Sequence, residues 1–158
     1  MTTLTDYNDQ PLTYAYDASG NVTSMTDWHE KTTSYTYTNT NQVSTVAAPS
    51  SKTWDYDYNA LGQVTQVSIP NGMTTAYSYD NRNRMTKLEH KYGATVLDGY
   101  TYALDAAGDI TRVTDQNGEY WDYAYDGRDR LTSAVRLAVP LIGGAHWGPR
   151  ALADEVWE

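Results

Sequence analysis

Tyr14-Ala15-Tyr16-Asp17-Ala18-Ser19-Gly20-Asn21-Val22-Thr23-Ser24-Met25-Thr26-Asp27 is the stretch whose reading decides the fold. Two tyrosines separated by one residue project to the same face of an extended strand. Asp17 suits a turn because a short carboxylate can bond the backbone just after it, and Gly20 accepts a positive φ without a steric cost. Val22-Thr23-Ser24-Met25 then reads as a β-branched return strand, so the stretch is one β-hairpin. Val22 and Met25 are three residues apart, which breaks strict alternation and predicts a bulge or sharp twist in the return strand.

The same order recurs at Tyr35-Thr36-Tyr37, Tyr56-Asp57-Tyr58, Tyr77-Ser78-Tyr79-Asp80, Tyr102-Ala103-Leu104-Asp105 and Tyr123-Ala124-Tyr125-Asp126. The leading tyrosines are 21 residues apart, except for a step of 25 between Tyr77 and Tyr102. Gly20, Asn41, Gly62, Asn83, Gly108 and Asp129 share the turn column, and Val22, Val43, Val64, Met85, Ile110 and Leu131 open the return strands. Each of those apolar residues is followed by a hydroxyl, and a second apolar column holds Met25, Val46, Val67, Leu88, Val113 and Ala134. A fixed period of this length marks a repeat architecture in which each unit packs on the next. The second turn of each unit is less regular in sequence, with Pro70-Asn71-Gly72 and Asn117-Gly118 its clearest forms. The four-residue insertion falls around His90–Ala94 and predicts a longer loop.

The fold class is therefore all-β, with consecutive antiparallel hairpins of about 21 residues forming one curled sheet. Met1–Asp6 aligns with Val22–Asp27, so residues 1–136 read as a half repeat plus six copies, in the manner of a piece of a longer array. Residues 137–158 form a non-repeat tail, with Gly144 where a seventh leading tyrosine is due. That tail reads as a cap, a short helix over 151–157, or disorder.

The unit Tyr14–Asp27 and its fainter copy Leu104–Thr111 resemble the YD repeat of Rhs-family proteins, which is related to repeats in toxin-complex shell subunits and teneurins. The resemblance implies a spiralling β-sheet wall around a chamber, with a toxic C-terminal cargo and a secreted or surface location. It also implies carbohydrate binding in some members. The family's autoproteolytic boundary has no counterpart here because no Asp-Pro dipeptide occurs, so no catalytic residue is carried over. A strip of wall exposes its edge strands, which implies self-association as a homo-oligomer.

Composition agrees with a structural reading. Twenty acidic against 11 basic residues leave a net charge of -9, which argues against nucleic acid as partner. There is no long apolar run for a membrane span, no signal-peptide pattern at the N-terminus, and no cysteine for a disulfide or thiolate site. Fifteen tyrosines and five tryptophans with no phenylalanine make the apolar material unusually polar at its tips.

The structural repeat residues are Tyr14, Tyr16, Asp17, Gly20, Tyr35, Tyr37, Tyr56, Tyr58, Gly62, Tyr77, Tyr79, Asp80, Tyr102, Asp105, Gly108, Tyr123, Tyr125 and Asp126. Trp28, Trp54 and Trp121 read as lying off the tyrosine ladder, near the second turns, and are the candidate ligand-binding platforms for carbohydrate. The turn aspartates read as backbone caps. Asp105 with Asp109, and Asp126 with Asp129, offer oxygens for calcium but lack the spacing of a calcium loop. His29, His90 and His146 are scattered, so no metal, cofactor or enzymatic activity is expected. Arg82, Arg84, Lys87, Arg128 and Arg130 make the second half the better place for an acidic partner.

Overall fold

A computed structural model describes residues 2–5 and 10–137 of the chain. They form thirteen strands: β1 (Thr2–Thr5), β2 (Pro11–Tyr16), β3 (Val22–Thr26), β4 (Thr32–Tyr37), β5 (Val43–Ala47), β6 (Thr53–Tyr58) and β7 (Val64–Ser68), then β8 (Met73–Tyr79), β9 (Met85–Tyr92), β10 (Thr95–Leu104), β11 (Ile110–Asp115), β12 (Tyr120–Tyr125) and β13 (Leu131–Leu137). Their order in one sheet is their order in the chain, and no helix occurs among the described residues. The tail readings of cap, helix or disorder fall on 138–158, outside the described residues.

Two compact units divide the chain, the first of Met1–Ala76 with Lys91–Thr95 and the second of Tyr77–His90 with Val96–Glu158. Neither contains a buried hydrophobic side chain among the described residues. Among the described residues Gly99 alone is buried. Without such a core, a side chain in these strands is shielded by its strand neighbours.

Of the bulge or sharp twist expected, the bulge is what copies one, two, three, five and six contain. Tyr16 pairs with Val22 and Ala15 with Ser24, so Thr23 is the extra residue. Ser44, Thr65, Thr111 and Thr132 are skipped in the same way. One extra residue puts both apolar columns on the tyrosine face: Tyr14 lies opposite Met25 and Tyr16 opposite Val22. The hydroxyl of the skipped residue finds a local acceptor, as Thr132 Oγ1 donates to Ala124 O (3.0 Å) and Thr111 Oγ1 to Ala103 O (3.3 Å).

All six residues of the turn column adopt positive φ, from Asp129 at 58° to Gly108 at 112°. The first turn closes with Asp17 N–H donating to Asn21 O (2.9 Å) and Gly20 N–H to Asp17 O (3.2 Å). The second turns, irregular in sequence, are regular in backbone: Asp27–Lys31, Ala48–Lys52, Ile69–Met73 and Asp115–Glu119 carry the same pair of bonds. Glu30, Ser51, Gly72 and Gly118 occupy their left-handed position. Geometry common to both ends of a hairpin is a type I turn followed by a left-handed residue, which tolerates varied side chains elsewhere.

The insertion departs from expectation. It makes no longer loop; β9 and β10 grow to eight and ten residues around the two-residue turn Gly93-Ala94, with Gly93 at φ 58°. Other return strands of the first unit have five residues.

Candidate functional site

In three of the pairs the second tyrosine ties its hairpin to the one before. Tyr37 Oη donates to Val22 O (2.7 Å) and Tyr58 Oη to Val43 O (2.8 Å) in the first unit, and Tyr125 Oη donates to Ile110 O (3.0 Å) in the second. In these three bonds the acceptor is the first residue of the preceding return strand, two residues before that strand's pairing with the donor's strand begins. Burial pushes the phenols of Tyr58 and Tyr125 above the usual tyrosine range. Leu104 stands in this column in copy five and has no hydroxyl to donate.

Trp54 and Trp121 lie on the ladder rather than off it. Trp54 is on β6 opposite Val46, two residues before Tyr56, and Trp121 is on β12 opposite Val113, two before Tyr123. Alternation places each on the same face as its tyrosine pair, forming a third aromatic rung. Counting back from the turn hid this, because the second-turn bonds end earlier than the loose sequence suggested. Arg136 stacks over the Trp121 ring at 5.0 Å. Trp28 is different: it sits in the Asp27–Lys31 turn, 49% exposed, its ring 3.3 Å from that of His29. The three tryptophans belong to three different hairpins.

The turn aspartates act as caps. Asp17 Oδ1 accepts Ser19 N–H (2.9 Å) and Asn21 N–H (2.8 Å), and Asp80, Asp126 and Asp115 repeat the pattern. Asp105 accepts Gly108 and Asp109 N–H. Bonds from Asn21 hold the Asp17 carboxyl below the usual range, those from Arg84 hold Asp80 down, Gly108 N–H does so for Asp105, and the Arg130 guanidinium does so for Asp126. Asp109 shifts the other way, raised by desolvation and then by the facing Asp129 and by Asp105. Among the described residues no three metal-ligating side chains converge.

Side chains one residue past the left-handed position reach the next turn. Asn21 Nδ2 donates to Asn41 Oδ1 (3.0 Å), Gln42 Nε2 to Gly62 O (2.8 Å), and Arg84 to Asp105 O (2.5 Å). The basic residues noted in the second half are largely engaged at home: Arg84 pairs with Asp80, Lys87 with Glu89, and Arg130 with Asp126. Sequence reading missed one feature, an open hollow of about 290 Å³ on the second unit, lined by Lys87, Glu89, Asp115 and Gln116 together with Val96 and Tyr100. Its floor is Gly99, where a Cβ would meet Leu88 O at 3.1 Å. The only signal for it was the insertion that lengthens β9 and β10.

Comparison with known proteins follows the same geometry. A family model described as RHS Repeat matches residues 1–30, 58–95 and 105–138. No curated protein matches the chain significantly. The structure of a Photorhabdus luminescens Tc holotoxin pore is similar over 80% of this chain, with a TM-score of 0.69 at 20% identity. A TcdB2-TccC3 structure without its hypervariable C-terminal region is similar over 87%, also with a TM-score of 0.69 and 20% identity. In both cases the chain spans 7% of the length of the solved protein.

Proposed function

The chain belongs to the RHS-repeat family, and from that premise we propose that it is a non-catalytic wall segment of an encapsulating β-repeat shell. One observation carries the reading: the described residues form a sheet with no buried hydrophobic side chain, held together between hairpins by tyrosine hydroxyls on backbone carbonyls. Such a sheet partitions space and needs no core of its own. The solved proteins it resembles in fold are toxin complexes, which supports a toxic polypeptide as the class of cargo and a secreted or surface location. Exposed sheet edges support association with further copies. The test is small-angle X-ray scattering on the purified chain. A cross-section of one sheet, roughly 10 Å, is expected, and a two-layered cross-section would overturn the reading.

A second reading has one specific observation in its favour. Trp54 and Trp121 share a face with their tyrosine pairs, an arrangement of flat rings suited to sugar stacking. Glycan titration followed by tryptophan fluorescence separates the two readings: saturable quenching supports the binding module, and a flat response supports the wall.

A further inference from the structure

We propose that the hollow beside Gly99 is a binding site for an alkylguanidinium group, as carried by an arginine side chain. The second unit already holds two of its own guanidinium groups by one arrangement, a carboxylate together with an aromatic ring. Arg112 Nε and Nη2 donate to Asp122 Oδ1 and Oδ2 (2.5 and 2.7 Å), and the same guanidinium lies 3.9 Å from the centre of the Tyr120 ring. Arg136 pairs with Glu119 and lies over the Trp121 ring. A third carboxylate and ring line the hollow: Asp115 and Tyr100 are cross-strand partners on β11 and β10 and so share one face. No arginine is among the residues that line it.

Asp115 keeps an oxygen for such a guest. Its Oδ1 accepts Asn117 N–H and Glu119 N–H (2.8 and 3.0 Å) and caps the turn. In equivalent caps the other oxygen is taken by the side chain four residues on: Asp17 Oδ2 by Asn21 Nδ2, Asp80 Oδ2 by Arg84 Nε, and Asp126 Oδ2 by Arg130 Nε. Glu119 stands at that position after Asp115, has no proton to give, and is engaged with Arg136. Asp115 Oδ2 therefore has no partner among the described residues. Gln116 adds a second acceptor, because its Nε2 donates to Leu97 O (2.8 Å) and leaves Oε1 as the free end of the amide. With Lys87 paired to Glu89 at 2.8 Å, the lining carries the net negative charge of Asp115. Gly99 contributes no side chain, and about 290 Å³ gives room for a guanidinium and its methylene stem beside Val96. A guanidinium suits the site better than an ammonium, since its planar fork of donors serves several acceptors at once, sheds water more readily and stacks on a ring.

The test is an NMR titration of the isotope-labelled full chain with the tripeptide Gly-Arg-Gly and, separately, with agmatine, a free alkylguanidinium. Saturable shifts are expected at the amides of Tyr100, Thr101, Asp115 and Gln116. Citrulline in place of the arginine keeps the shape without the charge and should bind about 5- to 10-fold more weakly. Asp115→Asn should lose as much while keeping its melting temperature, because the amide oxygen still caps the turn. Tyr100→Leu removes the ring and should weaken binding about 2- to 5-fold, which tests the site independently of the cap. Asp27→Asn, in a turn cap of the first unit, should bind as the parent does. Tighter binding of the tripeptide than of agmatine assigns the guest to a polypeptide, and the reverse assigns it to a free small molecule. No saturation by either probe, equal binding of arginine and citrulline, or unchanged binding by folded Asp115→Asn and Tyr100→Leu would overturn the proposal.

Discussion

Replacing Tyr58 by phenylalanine removes one oxygen and tests the tie between hairpins. The hydroxyl donates to Val43 O at 2.8 Å, and Val43 precedes the paired stretch of β5 and β6, which begins at Thr45. A neutral hydrogen bond of this kind contributes about 1 kcal/mol net. For a chain of 158 residues that amounts to a fall in melting temperature of about 2–4 °C. Tyr56→Phe is the control, because the Tyr56 hydroxyl has no protein partner among the described residues, and its melting point should stay within about 1 °C of the parent. Tyr37→Phe removes the equivalent bond one repeat earlier, and the double variant should lose about 2 kcal/mol, since sites one period apart share no partner. Unfolding followed by tryptophan fluorescence suits the experiment, because Trp54 lies on the same strand as Tyr58. Equal losses from Tyr56→Phe and Tyr58→Phe would refute the reasoning, since the effect would then follow from the loss of any tyrosine hydroxyl and not from the bond to Val43 O.

The remaining predictions concern turns and charge. Glu30→Gly and Ser51→Gly should each stabilise the chain by about 1 kcal/mol, because both residues sit at a left-handed φ (62° and 60°), seen as raised melting temperatures. Gly62→Val should destabilise, since φ is +79° and the new Cβ would lie 3.1 Å from Gln42 Nε2; an unchanged melting curve would contradict the turn assignment. The carboxyls of Asp17, Asp80, Asp105 and Asp126 are held below their unfolded value of 3.8, so they stabilise the fold above that value. Their contribution should fall as pH drops from about 4 through the lowered values, measured as melting temperature against pH. Asp109 runs oppositely: its raised pKa makes its charge unfavourable near neutrality, so Asp109→Asn should raise the melting temperature at pH 7 and have less effect at pH 3.

Much of the architecture was legible because a repeat states its own rules several times. Gly20, Asn41, Gly62, Asn83, Gly108 and Asp129 are chemically different, yet their shared column predicted the left-handed φ that all six adopt. The spacing of Val22 and Met25 predicted the bulge at Thr23, because only an extra residue can bring both to the tyrosine face. The second turn escaped for the converse reason. Its conformation is set by backbone bonds such as Ala48 N–H to Lys52 O, which leave little trace in side-chain identity. Without that boundary, Trp54 and Trp121 could not be assigned to the ladder.

Sequence alone determined the unit, its period, its strand and turn chemistry, and the face on which the tyrosines stand, since all of these depend on residues near one another in the chain. Tertiary structure decided what depends on neighbouring hairpins: which carbonyls the hydroxyls of Tyr37, Tyr58 and Tyr125 find, and how the insertion lengthens β9 and β10 instead of a loop. The physical reason is that a hydrogen bond from Tyr58 to Val43 spans 15 residues and a bulge, so its geometry exists only once two hairpins share a sheet.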